Sequence, residues 1–209
     1  SLVICLLGLA IAWRKQQNEQ RRTLAGMRRD VLLVIAHPDD ESMFFLPTIR
    51  ELHKHGRQTH VLCISTGNAD GLGEKRTAEL QKCGEAFGFS VTVEDHPDLQ
   101  DGFQHAWPAE VIRKVGLALD FACIATFVLQ IVINCAERRG ARDIITFDSH
   151  GVSGHPNHCA VSRAVWFDAS IVSLLSHAAL SRGLSDGYSV WTLRSLGIIR
   201  KYIGVLQLP

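Results

Sequence analysis

The stretch Val31-Leu32-Leu33-Val34-Ile35-Ala36-His37-Pro38-Asp39-Asp40-Glu41 decides the fold: five branched aliphatic residues run unbroken, and an imidazole and three carboxyl groups follow at once. An apolar run of that length reads as a strand covered on both faces, the pattern of a central parallel strand. The polar residues just past it occupy the crevice beyond the strand carboxyl ends, where open α/β sheets hold their ligands. Outward from this point the chain alternates. Glu41 to His55 reads as a helix stopped at Gly56, Thr59 to Ser65 as a strand, and Glu74 to Phe87 as a helix closed by Gly88, with Ala78, Cys83 and Phe87 as its apolar positions. Ser90 to Val93 is a short strand, Asp95 to Trp107 a polar loop, and Pro108 opens a helix at a position that favours proline. Asp143 to Phe147 is a strand, a long apolar helix starts near His158, and Tyr188 to Leu193 is the last strand. Such alternation predicts an α/β, Rossmann-like fold: a mostly parallel sheet with helices on both faces.

The 209 residues, 46% of them hydrophobic and 21% charged, suffice for one domain with a full core. A net charge of +1, with no long basic run interleaved with aromatics, argues against a nucleic-acid partner. Six scattered cysteines without a C-x-x-C pair read as free thiols of a reducing compartment. Residues 1–13 are apolar after Ser1 and are followed by Arg14-Lys15 and Arg21-Arg22. They are read as a membrane anchor cut short at its start, since a span takes about 20 residues. Basic residues after the run direct the rest of the chain to the cytosol. A cleaved signal peptide, whose charges precede its apolar run, and a soluble apolar helix are the competing readings. Residues 14–29 then form a basic juxtamembrane linker, and 30–209 the folded domain.

Val115 to Ala136 is an atypical segment, apolar but for Asp120, Thr126, Gln130 and Asn134. A membrane span, a buried or membrane-apposed helix, and an insertion foreign to the domain are its three readings. A span would separate His37 and Asp40 from His158, and a central Asp120 would cost about 2.5–3.5 kcal/mol.

A second polar cluster, His155-Pro156-Asn157-His158, follows the strand-like Ile144 to Asp148. His37 and Asp40 lie three residues apart across a strand-to-helix turn, so an imidazole and a carboxylate share one side. With His158 they make a two-histidine, one-carboxylate set, which suits catalytic Zn²⁺ with an open position and also suits non-haem Fe²⁺. Asp39 is the candidate general base, and His155 is free to stabilise an oxyanion or protonate a leaving amine. Cys159 points about 100° from His158 on a helix and is assigned to packing. His53, His55, His60, His96, His105, His150 and His177 follow no metal spacing and are assigned to surface or loop.

The phrases A-H-P-D-D-E (Ala36 to Glu41), G-E-K-R-T-A-E-L (Gly73 to Leu80) and G-V-S-G-H-P-N-H (Gly151 to His158) resemble the motifs of the LmbE-type, zinc-dependent de-N-acetylase family. T-F-D-x-x-G-V-S-G-H (Thr146 to His155) and L-R-x-x-x-x-x-R-K-Y-I (Leu193 to Ile203) look like its eukaryotic branch, which acts on N-acetylglucosaminyl-phosphatidylinositol in glycosylphosphatidylinositol-anchor synthesis. Ser153, where bacterial relatives often carry Tyr, fits the same branch. The resemblance implies zinc on His37, Asp40 and His158, Asp39 as base, and His155 as oxyanion-stabilising and acid group. It also implies that Arg76 faces the substrate, where a guanidinium suits an inositol phosphate; an ion pair with Glu79 is the competing role. Asp101 would offer its carboxylate to sugar hydroxyls, or simply shape a loop turn. The implied activity is hydrolysis of the acetamide of a membrane glycolipid, on the cytosolic side of the endoplasmic reticulum. A soluble N-acetylglucosaminide as substrate, or a non-catalytic membrane-bound form, are the alternatives. Val115 to Ala136 departs from the family, which has a shorter amphipathic helix there.

Overall fold

A computed structural model describes residues 14, 26–27, 30–104, 107, 123–175 and 188–195. Five strands, β1 (Val31–Ile35), β2 (Thr59–Cys63), β3 (Ser90–Val93), β4 (Asp143–Phe147) and β5 (Ser189–Leu193), form one sheet in the order β3-β2-β1-β4-β5, with every pairing parallel. β1 is central and wholly buried, as its aliphatic run requires. The chain builds outward from β1 to β3 and then returns to place β4 on the other flank. The carboxyl ends of β1 and β4 therefore bound the point where the winding reverses.

Among the described residues the longer helices are α1 (Leu46–Lys54), entered through a π-helical turn Glu41–Phe45, α2 (Gly73–Phe87), α3 (Cys123–Arg139) and α4 (Pro156–Leu175). α1 packs on β2 and α2 on β3. α3 packs on β1, β2 and α4, and α4 on β1 and β4. The part of Val115 to Ala136 that is described thus belongs to a core helix, with Val128, Val132, Cys135 and Ala136 buried. Among the described residues no helix is long and apolar enough to cross a membrane. The expected anchor, 1–13, and the helix expected from Pro108 lie outside the described residues.

The structure corrects two expectations. The inward face of α2 is Gly73, Leu80 and Gly84, while Ala78 and Phe87 are exposed. Gly84 permits this seat, since a Cβ there would stand 2.6 Å from the Phe89 carbonyl oxygen ahead of β3. His60, assigned to surface or loop, is instead buried within β2, with Nδ1 2.6 Å from Ser90 Oγ and Nε2 2.9 Å from Thr92 Oγ1. Two hydroxyls on one face of β3 satisfy both ring nitrogens, so the ring is accommodated as a neutral core group. Cys63, Cys83, Cys135 and Cys159 are free thiols.

Burial, helped by the charges of Arg139 and Arg138, lowers the His60 pKa from 6.5 to about 4. The folded chain therefore excludes a proton that the unfolded chain binds between these values. The contribution to stability is complete above about pH 6.5 and is lost as the pH falls toward 4, by an amount on the order of 3 kcal/mol. Urea titrations at pH 7.5 and 4.5 should show that His60→Gln removes this share of the acid destabilisation.

Candidate metal centre

The turn after β1 is folded by the carboxylate of Asp40. Its Oδ2 accepts the backbone N–H groups of Ala36 at 3.0 Å and His37 at 2.9 Å, which leaves Oδ1 facing inward. Ser65, just beyond β2, donates its hydroxyl to the Ala36 carbonyl at 2.8 Å and ties this turn to the neighbouring strand. From β4 the chain passes through Gly151–Gly154, where Val152 takes φ 64°, and enters α4 at the second histidine cluster. Asp148 accepts both the N–H and the hydroxyl of Ser195, and Ser195 Oγ accepts the Val152 N–H at 2.9 Å. The strained turn is thereby anchored to the end of β5.

These two turns bring three donor atoms to one point. His158 Nε2 lies 3.1 Å from Asp40 Oδ1 and 3.3 Å from His37 Nδ1, and His37 Nδ1 lies 3.8 Å from Asp40 Oδ2. Ligands about 2.0–2.1 Å from a tetrahedral metal stand roughly 3.3–3.4 Å apart. The remaining ring nitrogens have partners of their own. His158 Nδ1 is 3.1 Å from the Gly151 carbonyl, to which it donates, and His37 Nε2 is 3.0 Å from Asp101 Oδ1. His37 Nδ1 and His158 Nε2 then both face the Asp40 carboxylate. That arrangement fits a cation, and the partners of the outer nitrogens are those that orient metal-bound histidines.

His155 joins the cluster differently. Its ring nitrogens come within 4.8 Å of those of His37 and His158, but its Nδ1 accepts the Asn157 N–H at 3.3 Å. Asp40 therefore completes the closest donor set, and His155 stands beside it. Phe147 stacks on His158 at 4.2 Å between centroids, and Phe103, with 74% of its surface exposed, covers His155 at 4.3 Å.

Asp39 lies beside this point with a left-handed φ of 132°, and half of its side chain meets solvent. Arg76 pairs with Asp39 and with Asp101, each at 3.0 Å, and not with Glu79; Lys75 takes that partner. Asp101 is held toward His37 by a loop anchored on Trp107 and Asn157, both of which donate to the Gln100 carbonyl. Glu41 is buried and accepts the Asp39 N–H at 3.0 Å.

The electrostatics follow from these contacts. Burial raises the Asp39 carboxyl above its usual range against the pull of Arg76. A hydrogen bond from His37, aided by Arg76, takes Asp101 down to about 2. Burial and the nearby His37 and His158 lower His155 to about 4, so its ring is neutral at pH 7. His158 is raised, the Asp40 carboxylate outweighing burial.

Residues 32–167 match the family model described as PIG-L, GlcNAc-PI de-N-acetylase. A probable N-acetylglucosaminyl-phosphatidylinositol de-N-acetylase of Schizosaccharomyces pombe is 39% identical, over 97% of this chain and 72% of that protein. The N-acetylglucosaminyl-phosphatidylinositol de-N-acetylase of Bos taurus is 33% identical, over 95% of this chain and 69% of its own length. Among solved structures, the N,N'-diacetylchitobiose deacetylase of Pyrococcus horikoshii superposes with a TM-score of 0.53 at 14% identity, covering 86% of this chain and 67% of that one. At that identity the likeness concerns the fold alone.

The donor geometry separates Asp40 from His155. Zinc titration against a competing chelator should give one equivalent bound to the wild-type chain and to His155→Ala. Asp40→Ala should bind at least 100-fold more weakly, because it loses both a ligand and the turn that presents His37.

Proposed function

The chain belongs to the GlcNAc-PI de-N-acetylase family, and we propose that it hydrolyses the acetamide of N-acetylglucosaminyl-phosphatidylinositol, giving glucosaminyl-phosphatidylinositol and acetate. The observation that carries this reading is the convergence of His37 Nδ1, Asp40 and His158 Nε2, with Asp39 and His155 on its margin. These three residues would hold a divalent cation, zinc by preference and Fe²⁺ as the other ion that the set admits. When bound, such an ion supplies Lewis acidity, polarising an amide carbonyl and making water acidic near neutral pH.

The chain's own groups account for the proton movements. Asp39 is the base: burial raises its pKa, which improves it as a proton acceptor, and its half-open side chain reaches water. The Asn157 N–H occupies His155 Nδ1, so the proton of the neutral ring sits on Nε2. From there it donates a hydrogen bond to the carbonyl oxygen as negative charge develops, and the proton that Asp39 has taken from water passes to the departing nitrogen. Asp101 keeps the His37 Nε2 proton in place and fixes that ring's orientation.

The glycolipid's acyl chains stay in a bilayer, so the reaction takes place at a membrane surface. The reading extends to the endoplasmic reticulum membrane with the site toward the cytosol. It is supported by the apolar residues 1–13 and the basic residues that follow them.

Mass spectrometry of the zinc-loaded chain with N-acetylglucosaminyl-phosphatidylinositol in vesicles should show loss of one acetyl group and release of acetate. Asp39→Ala should lower kcat by about 10²–10⁴-fold without releasing the metal. An unchanged rate in that variant, or turnover confined to soluble N-acetylglucosaminides, contradicts the reading.

A further inference from the structure

Arg76 is saturated by contacts within the chain. Nη1 donates to the Gly67 carbonyl at 2.6 Å and to Asp101 Oδ2 at 3.0 Å; Nη2 donates to the Pro38 carbonyl and to Asp39 Oδ2, both at 3.0 Å. Those four acceptors match the four N–H groups at the guanidinium tip. The side chain is only 24% exposed. The loop after β2 is shaped to admit it: Gly67 has φ +68°, and a Cβ there would stand 2.5 Å from Nη1. Asp39 is gripped at its other end too, because the buried Glu41 carboxylate accepts its backbone N–H.

We propose that Arg76 is a positioning residue, which locks Asp39 and Asp101 into one unit with the turn after β1, and that it does not bind the substrate phosphate. Through Asp39 it fixes the group that takes the proton, and through Asp101 it fixes the orientation of His37. Lysine does not replace it, since one ammonium with three N–H groups cannot span four acceptors lying in the plane of a fork. The assignment rests on the proposed amide hydrolysis for its Asp39 half. Its Asp101 half stands without it.

Two readouts test the two halves. Steady-state kinetics of wild type, Arg76→Ala and Arg76→Lys would be run on N-acetylglucosaminyl-phosphatidylinositol and on phosphate-free N-acetylglucosaminyl-inositol. We expect Arg76→Ala to lower kcat about 100-fold on both, with KM nearly constant, as for a misplaced catalytic group. Methylguanidinium should restore part of the loss, and Arg76→Lys, which keeps the charge if the alanine variant unfolds, should recover less than a tenth of the wild-type rate. A rise in KM seen only with the phosphate-bearing substrate overturns the proposal and makes Arg76 a phosphate ligand. Independently of activity, zinc affinity would be measured by chelator competition. Arg76→Ala and Asp101→Asn should each weaken binding by about tenfold, and the double variant no more than Asp101→Asn alone. Additive losses, or unchanged affinity in Arg76→Ala, overturn the coupling. An inactive wild-type chain that still shows the coupled zinc losses supports the clamp and refutes the hydrolase reading instead.

Discussion

The carboxylate of Asp40 is the interaction on which the rest of the site depends. One oxygen takes two backbone N–H groups and so folds the turn after β1; the other faces His158 from inside the protein. A buried carboxylate carries a desolvation cost of several kcal/mol unless its charge is answered. Here the two amides answer half of it. The inward half faces His37 Nδ1 and His158 Nε2, whose other ring nitrogens are engaged by the Asp101 carboxylate and the Gly151 carbonyl. Positive charge at that point relieves the concentration of electron density. The local folding problem and the chemistry therefore share a cause.

Strand order makes the convergence possible. His37 and His158 are 121 residues apart, yet β1 and β4 are hydrogen-bonded neighbours, from Val31 opposite Asp143 to Leu33 opposite Ile145. Near the carboxyl edge the Thr146 hydroxyl donates to the Val34 carbonyl at 2.9 Å and keeps the two strands together just below the site. α3 and α4, packed on each other and on β1, cover the face behind them. The apolar stretch that seemed to endanger the return to the second cluster is, where described, part of the core that makes that return.

Much of this was legible in the residues. The buried run Val31–Ile35 announced a central parallel strand, and the strands and most helix limits followed from apolar runs and their Gly stops. His37, Asp40 and His158 could be grouped because each stands just past a strand end. What escaped was whatever depends on a partner distant in sequence. His60 was misassigned because only the register of β2 against β3 reveals the two hydroxyls that take its ring. The inward face of α2 was missed because glycines at Gly73 and Gly84 mark it, and a helix seated by absent side chains leaves no hydrophobic pattern. The ion pairs of Arg76 cross 25 and 37 positions, so its i+3 neighbour was the wrong place to look. That Glu41 supports the left-handed Asp39 cannot be read from a run of acidic residues.

In the proposed site two imidazoles and the Asp40 carboxylate hold the metal while His155 stays outside its coordination sphere. X-ray absorption spectroscopy of the zinc-loaded wild-type chain tests this most directly. The account predicts two imidazole nitrogens with oxygen completing the shell, all at about 2.0–2.2 Å, and a spectrum unchanged in His155→Ala. A shell of three imidazoles that falls to two in that variant would contradict it.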